Sequence, residues 1–218
     1  MNAGGREDGH LIAETRHDRS GPYAVRTGSE AAPMKRVAVF GNTGGGKSTL
    51  ARRLAEVTGL PLYPLDLIQF RVGGDPVPDK EYATAHAELL RRDEWVIDGY
   101  GTLATAWERF NAADTLVYID LPLRTHYWWV TKRLIKSLFI HPEGWPDGSP
   151  LWHSTIHCYK VAWRCHTRLT PKYRALVTES AGVKRVHHLR TPAEMQAFLA
   201  SLGRERAARD RPVAQRGV

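Results

Sequence analysis

The chain's most constraining feature is a glycine-rich stretch between a predicted strand and a predicted helix, Gly41-Asn42-Thr43-Gly44-Gly45-Gly46-Lys47-Ser48. The apolar run Val37–Phe40 precedes it, and Leu50, Leu54 and Val57 follow at helical spacing. Backbone N–H groups of such a turn can point into one concavity, and the helix adds the positive end of its dipole. This arrangement predicts an α/β fold with a loop that binds phosphate groups.

The residue types in this loop suit the binding of a nucleoside triphosphate. Lys47 would supply a positive charge to the β- and γ-phosphates, and the Ser48 hydroxyl could coordinate Mg²⁺. We therefore predict ATP and Mg²⁺ as cofactors. The alternative is a glycine-rich connection in which Lys47 is only solvated. The residues predicted to bind the nucleotide are Gly41, Asn42, Thr43, Gly44, Gly45, Gly46, Lys47, Ser48 and Thr49.

Length and composition indicate one compact domain, since the chain has 218 residues of which 42% are hydrophobic. We expect this domain over residues 34–202. Residues 1–33 lack periodicity and predict a disordered leader, or a start codon assigned too early, and residues 203–218 predict a disordered basic tail. The absence of an apolar run of about 20 residues predicts a cytoplasmic protein without a membrane partner. The cysteines, Cys158 and Cys165, fit a reducing compartment.

Strands and helices alternate along the domain, which predicts a parallel sheet with helices on both faces. The predicted strands are Lys35–Phe40, Leu62–Leu65, Trp95–Asp98, Thr115–Asp120 and Lys184–His188. The predicted helices span about 46–58, 80–92, 103–111, 124–139, 153–168 and 192–202. The last helix has a capping box formed by Thr191 and Glu194.

Three aspartates end predicted strands, where ligands of parallel sheets bind. Asp98, which Gly99 follows, has the form of a Walker B aspartate that organises Mg²⁺, with a turn-capping role as the alternative. Asp66 could accept a hydrogen bond from a phosphoryl acceptor, or it could cap a helix. For Asp120 we favour a structural capping role.

A basic segment lies between Leu121 and Arg174, with nine lysines and arginines against two carboxylates, Glu143 and Asp147. Such a segment can bind polyphosphate, nucleic acid or a membrane surface, or it can be a solvated helical face. In a chain with a phosphate loop, closing over the triphosphate is the simplest use. The cations are Arg124, Lys132, Arg133, Lys136, Lys160, Arg164, Arg168, Lys172 and Arg174.

The same segment contains aromatic and metal-ligating side chains. At helical spacing the aromatics predict core packing, with a stacking surface for a base as the alternative. They are Tyr127, Trp128, Trp129, Trp145 and Trp152. A zinc site is not favoured, because neither C-x-x-C nor H-E-x-x-H occurs. The residues weighed for it are His153, His157, Cys158, Cys165 and His166.

Several motifs together resemble the adenylate-kinase-like P-loop proteins, particularly those labelled DNA topology modulation proteins. The resemblance spans about residues 35–202 and rests on the loop with its continuation Thr49–Ala55, and on Leu60–Asp66, Trp95–Tyr100 and Tyr118–Pro122. It implies a three-layer P-loop NTPase fold with a five-stranded parallel sheet. It also implies an acceptor-binding segment around 66–93 and a helical lid between the fourth and fifth strands, about 121–175.

The resemblance also implies roles for individual residues. By position, Lys47 and Ser48 would contact phosphate and metal, Asp98 would organise the metal, and Arg133 would be the arginine at the base of the lid. Arg164 and Arg168 are expected near the triphosphate on charge and region alone. Adenylate kinases carry an aromatic residue, Pro and Arg after their Asp-Gly, whereas this chain has Tyr100-Gly101-Thr102, which leaves the acceptor open.

Two functions are consistent with these features. The first is an ATP- and Mg²⁺-dependent phosphotransferase acting on an unidentified small molecule, with nucleotides among the candidates. The second is a nucleotide-dependent nucleic-acid-binding or regulatory protein. Asp98-Gly99-Tyr100-Gly101 fits the D-x-x-G pattern of GTPases, but N-K-x-D is absent after the fourth strand, so adenine is favoured over guanine. We rank the kinase first, because the sequence contains no recognised nucleic-acid module.

Overall fold

The computed structural model describes residues 34–71, 75–137 and 151–209. The chain divides into two units, Met1–Pro33 and Met34–Val218, and every described residue belongs to the second. This unit contains a five-stranded sheet in the order β2-β3-β1-β4-β5, and every pairing in it is parallel. The strands are β1 Arg36–Gly41, β2 Leu62–Pro64, β3 Trp95–Asp98, β4 Thr115–Ile119 and β5 Arg185–Leu189.

Helices cover both faces of the sheet, as predicted. The described helices are α1 Lys47–Thr58, α2 Asp66–Gln69, α3 Asp79–Leu90, α4 Leu103–Ala112, α5 Leu123–Ser137, α6 Leu151–Arg168, α7 Thr170–Ser180 and α8 Pro192–Arg209. The segment between β4 and β5 that was predicted as a lid contains α5, α6 and α7. None of the described helices has the length and apolar character that crossing a bilayer requires.

Strand β1 occupies the centre of the sheet and separates two apolar cores. Val37 and Val39 join one core, together with side chains of α1 and α8. Ala38 and Phe40 join the other, which includes Phe110 of α4 and Tyr173 of α7. This alternation follows from the two-residue period of a strand. The two cores confirm the three-layer α/β fold and fix the end of β1, from which the glycine-rich loop begins.

The structure corrects several predicted boundaries. Helices α2 and α7 were not predicted, α6 begins two residues before the predicted start, and α8 continues to Arg209. The prediction of a disordered tail from Gly203 is therefore wrong for residues 203–209. The extension has a physical reason, because Leu202 is buried and the Arg206 guanidinium donates to the carbonyls of Glu56 and Val57 at the end of α1.

Asp120 connects β4 to its neighbours rather than capping a helix. Its carboxylate accepts two hydrogen bonds from Arg174 of α7, at 2.8 and 3.1 Å, and lies 2.9 Å from Nε2 of His188 on β5. These two partners hold the pKa of Asp120 below its ordinary value, although burial opposes them. The Asp120 side chain is only 6% exposed, so removing one member of this cluster would leave a buried polar group without a partner and would destabilise the fold.

We expect Asp120→Asn to lower the free energy of unfolding by about 2 kcal/mol at pH 7, because the bidentate ion pair with Arg174 is lost. Urea unfolding measures this. The matched control is Asp93→Asn, an exposed aspartate for which we expect no measurable change. Equal stabilities of the two variants would contradict a stabilising role for the Asp120 cluster. Since the folded-state pKa of Asp120 is lowered, its contribution should disappear as the pH falls below about 4.

Candidate active site

The glycine-rich loop has a shape that only glycine permits at several positions. Gly44 and Gly46 have φ values of +67° and +73°, which place them in the left-handed region. A Cβ on Gly44 would lie 2.6 Å from Val130, and one on Gly46 would lie 2.9 Å from Trp129. Side chains of α5 therefore pack directly against the loop backbone.

The loop offers unpaired donors to a ligand. Within residues 34–71, 75–137 and 151–209, the N–H groups of Gly44, Gly45 and Gly46 have no hydrogen-bond partner. Gly46 caps α1, so Lys47 and Ser48 begin the first helical turn, whose N–H groups are also without intrahelical acceptors. Unpaired amides at a helix N-terminus attract anions. This fits the oxygens of an oligophosphate.

Lys47 is held beside these donors. Its Nζ donates to the carbonyl oxygen of Asn42 at 2.8 Å, across the loop from the helix on which it lies. The Asn42 side chain is buried and closes the turn, because its Oδ1 accepts from the N–H of Thr43 at 2.7 Å. The ammonium group thus stays beside the unpaired N–H groups of the loop and has no carboxylate partner in the described part of the chain.

Asp98 ends β3 as predicted and lies close to Ser48, whose hydroxyl acts to lower the pKa of the Asp98 carboxyl. Burial raises the pKa of the Asp98 carboxyl, while Lys47 and the Ser48 hydrogen bond counteract that shift. Its Oδ1 is buried and has no partner among the described residues. A hydroxyl beside an unsatisfied carboxylate oxygen suits Mg²⁺, which takes oxygen ligands. The residues present therefore fit the metal ion that the sequence predicted.

Asp66 lies at the same site shortly after β2, although its position differs from the predicted one. It neither ends the strand nor caps a helix: β2 ends at Pro64, Leu65 is the N-cap, and Asp66 is the first residue of α2. Leu65 N–H donates to the Asp98 carbonyl at 2.8 Å, which brings the two segments together. Asp66 is exposed and is close enough to raise the pKa of Asp98.

These elements enclose a pocket of about 810 Å³. The loop, Asp66 and Asp98 line one side, and the lid segment lines the other with Trp129 and Val130 of α5 and Val161 of α6. Cations also line the pocket: Arg164 and Arg168 of α6 and Lys172 of α7. Arg164 and Arg168 thus line the same pocket as the loop, and their expected contact with a triphosphate stays a prediction.

The cations of the lid are available to a ligand. In the described ranges, Arg164, Arg168 and Lys172 have no carboxylate within ion-pair distance. Together with Lys47 they place four positive charges around the pocket, against the two carboxylates Asp66 and Asp98. Such a balance attracts a polyanion.

A buried arginine supports the segment after Asp98. Arg109 of α4 is fully buried, and its Nη2 donates to the carbonyls of Gly99 at 3.0 Å and Tyr100 at 3.3 Å. His86 of α3 lies 3.4 Å from its Nη1. Burial and the Arg109 charge lower the pKa of His86 to about 4, so this imidazole is neutral at pH 7. Arg109 therefore holds the turn that presents Tyr100 to the pocket.

Other predicted residues are placed elsewhere or lie outside the description. Arg133 belongs to α5, but its side chain is outside the described residues, as are those of Trp145, Trp152, His153 and His157. Of the aromatics, Trp129 lines the pocket and Trp128 is 62% exposed, so neither is simply core. Among the described residues, no group of three or more histidine, cysteine or acidic side chains could hold a metal ion.

Several residues that line the pocket were not predicted as site residues, among them Tyr100, Leu103, Cys165, Leu169 and Lys172. Tyr100 had a signal, because it follows Asp98-Gly99. Lys172 was counted only as part of the basic segment, because α7, which contains Pro171 in its first turn, was not predicted. Proline is compatible with the first turn of a helix, which is its position here.

Comparison with solved structures defines the class of fold. Shikimate kinase from Acinetobacter baumannii, in complex with shikimate, aligns with a TM-score of 0.52 and 16% identity over 82% of this chain and 96% of that chain. The parallel order β2-β3-β1-β4-β5 with a glycine-rich loop after β1 is therefore similar to the fold of that kinase. The similarity at this level of identity concerns the fold alone.

A more similar sequence is that of cytidylate kinase from Pyrobaculum aerophilum. It is 32% identical over 117 residues, which are 47% of this chain and 62% of that protein. The chain thus matches less than two thirds of that relative. No family model matches the chain. The resemblance to proteins labelled DNA topology modulation proteins stays a prediction.

Protonation of buried histidines should weaken the fold at acid pH. His126 of α5 is buried beside the loop, where Nδ1 donates to the Thr43 carbonyl at 2.9 Å. Burial and the Lys47 charge lower the pKa of His126 from 6.5 to about 4. Because the unfolded chain binds the proton more readily, the free energy of unfolding should fall as pH drops from about 6.5 to 4.

We predict that His126→Asn reduces this acid sensitivity, since asparagine keeps a donor near Nδ1 but does not titrate. Urea unfolding at pH 7 and pH 5 should show a loss of stability that is about 2 kcal/mol smaller in the variant than in the wild type. His86 would continue to contribute to both. An unchanged difference between the two pH values would contradict the neutral, buried state of His126.

Proposed function

We propose that the protein is a kinase that transfers the γ-phosphoryl group of ATP to a small molecule, with Mg²⁺ as cofactor. The single observation that carries the proposal is the shared pocket of about 810 Å³, which is lined by the phosphate loop, Asp66, Asp98 and the lid cations. The similarity to cytidylate kinase supports the reaction class, and the P-loop kinase fold is consistent with it.

The reaction would be an in-line transfer in which a new P–O bond to the acceptor hydroxyl forms as the bond to ADP breaks. The loop amides and Lys47 bind the β- and γ-phosphates. Ser48 and Asp98 would hold Mg²⁺, which neutralises charge on these phosphates when bound. Arg164 and Arg168 approach the transferred group from the lid, and Asp66 is the carboxylate available to take the proton of the acceptor.

The pocket also favours an acceptor with a negative charge. Lys172 lies in the first turn of α7, four residues beyond Arg168, and lines the same pocket. A triphosphate with Mg²⁺ is neutralised largely by Lys47 and one arginine, which leaves the positive charge of the other lid cations. We infer that a phosphate or carboxylate on the acceptor binds there. Nucleoside monophosphates and sugar acids are therefore the first acceptors to test.

Trp129 is our candidate for the base of ATP. Its six-membered ring lies against Gly46 at the start of α1, it lines the pocket, and the Met195 side chain of α8 lies on the same side of Gly46. Aromatic rings stack on nucleobases without distinguishing them strongly. Trp129 would thus contribute binding energy at the base while the loop binds the phosphates.

Among the residues that the structure describes, no observation favours the alternative of a nucleic-acid-binding protein. Of the cations in the basic segment, Arg164, Arg168 and Lys172 line a pocket, and Arg174 is paired with Asp120. A continuous exposed stripe would be expected for binding a phosphate backbone. We therefore propose ATP and a small-molecule acceptor as partners.

The test of the proposed function is ATP consumption measured over a panel of nucleosides, nucleotides, sugar acids and small alcohols. We expect at least one acceptor to stimulate turnover. Lys47→Met should reduce that turnover about 100-fold or more, because the positive charge that stabilises the transferred phosphoryl group is lost. Lys80→Met is the matched control, since Lys80 is exposed on α3 and lies outside this pocket. Equal turnover by Lys47→Met and the wild type would contradict the mechanism.

A second prediction concerns Trp129. The variant Trp129→Ala should bind ATP about tenfold more weakly than the wild type, while its affinity for inorganic tripolyphosphate should change less than about twofold. Titration calorimetry with each ligand measures both values. Trp128→Ala is the matched control, because Trp128 is the exposed neighbour on the same helix. A parallel loss for ATP and tripolyphosphate would contradict base stacking.

A further inference from the structure

Asn42 is connected to both sources of positive charge in the pocket, to α6 through its buried side chain and to Lys47 through its backbone carbonyl. Its Nδ2 donates to the carbonyl oxygen of Ala162, in the middle of α6, at 2.9 Å. The backbone carbonyl oxygen of Asn42 accepts a hydrogen bond from Nζ of Lys47 at 2.8 Å. Asn42 is 4% exposed and Ala162 is fully buried, so the contact between loop and helix excludes water.

We propose that Asn42 is a positioning residue that fixes the lid arginines relative to the phosphate loop. Arg164 lies two residues beyond Ala162 on the same rigid helix, and Arg168 lies one turn further. Anchoring Ala162 on the loop therefore sets the distance at which both guanidinium groups reach the phosphates. The inference rests on the proposed binding of ATP.

The adjacent loop residue has an equivalent contact with the other lid helix. The Thr43 carbonyl accepts a hydrogen bond from Nδ1 of His126 on α5, at 2.9 Å. Helices α5 and α6 also contact each other, since the Tyr127 and Tyr159 rings meet edge to face with centroids 5.2 Å apart. Two consecutive loop residues thus hold two packed helices, and the loop and the described part of the lid form one hydrogen-bonded unit.

The local role of Asn42 can be separated from its role at the lid. The Oδ1 contact with Thr43 N–H shapes the loop, whereas the Nδ2 contact with Ala162 reaches the lid. Serine can accept from a nearby backbone N–H as asparagine does, but its shorter side chain cannot extend to α6. Asn42→Ser therefore keeps the first contact and removes the second.

The test compares the affinities of ATP and ADP, because only ATP has the γ-phosphate that the arginines would contact. We expect the wild type to prefer ATP, and Asn42→Ser to lose about tenfold of this preference, the value of one charge-assisted hydrogen bond. ADP affinity should change less than about twofold. Arg164→Ala and Arg168→Ala identify the arginine that Asn42 positions. When Asn42→Ser is added to the variant that lacks this arginine, the preference for ATP over ADP should not fall further.

The outcomes distinguish the inference from the proposed function. Failure of the wild type to bind either nucleotide would overturn the proposed function. Binding with equal affinity for ATP and ADP, or an Asn42→Ser effect that adds fully to both arginine effects, would overturn the role of Asn42. Asn111→Ser, at an exposed asparagine of α4, is the control and should retain the wild-type preference.

A second measurement needs no variant and therefore does not depend on the folding of Asn42→Ser. Hydrogen exchange of the wild type should show that ATP with Mg²⁺ slows exchange in the loop and in the 156–168 part of α6 at the same nucleotide concentration. Protection of the loop without protection of α6 would contradict the coupling.

Discussion

The glycine-rich loop must keep its backbone donors open, and the rest of the structure depends on this constraint. If the N–H groups of Gly44, Gly45 and Gly46 paired within the chain, no phosphate could bind them. Unpaired donors do not hold a loop in place, so its conformation has to be imposed from outside. Here α5 packs on the glycine backbone through Trp129 and Val130, and Asn42 and Thr43 are hydrogen-bonded to the two lid helices. The sheet fixes where the loop begins, because Gly41 at the end of β1 lies so close to the carbonyl of Ile119 that a Cβ would clash there.

Charge explains why the lid faces the loop without ion pairs. Arg164, Arg168 and Lys172 repel one another and Lys47, which disfavours a closed, empty pocket. A bound polyanion offsets this repulsion and at the same time accepts hydrogen bonds from the unpaired N–H groups of the loop. Two other cations near the sheet have partners instead: Arg174 is paired with Asp120, and Lys184 donates to three backbone carbonyls at the end of α4.

The sequence predicted those features that depend on local patterns. Short strand patterns between helical patterns located all five strands, the glycine spacing located the loop, and Asp98 was recognised because it ends an apolar strand before a glycine. Contacts between distant segments were not predictable in this way. Nothing near Asn42 in the sequence indicates Ala162, which is 120 residues away. The helix α7, which has Pro171 in its first turn, was not predicted, and the extension of α8 depends on a hydrogen bond from Arg206 to the end of α1.

The central claim is that backbone amides of this loop bind the phosphates of a nucleotide. The most direct test is to follow the amide resonances of the ¹⁵N-labelled protein while ATP and Mg²⁺ are added. We predict that the signals of residues 43–49 shift strongly and saturate, whereas those of Gly59 and Gly182, which are also in the left-handed region but far from the loop in sequence, stay in place. If saturating ATP leaves the amides of residues 43–49 unmoved, the account is wrong.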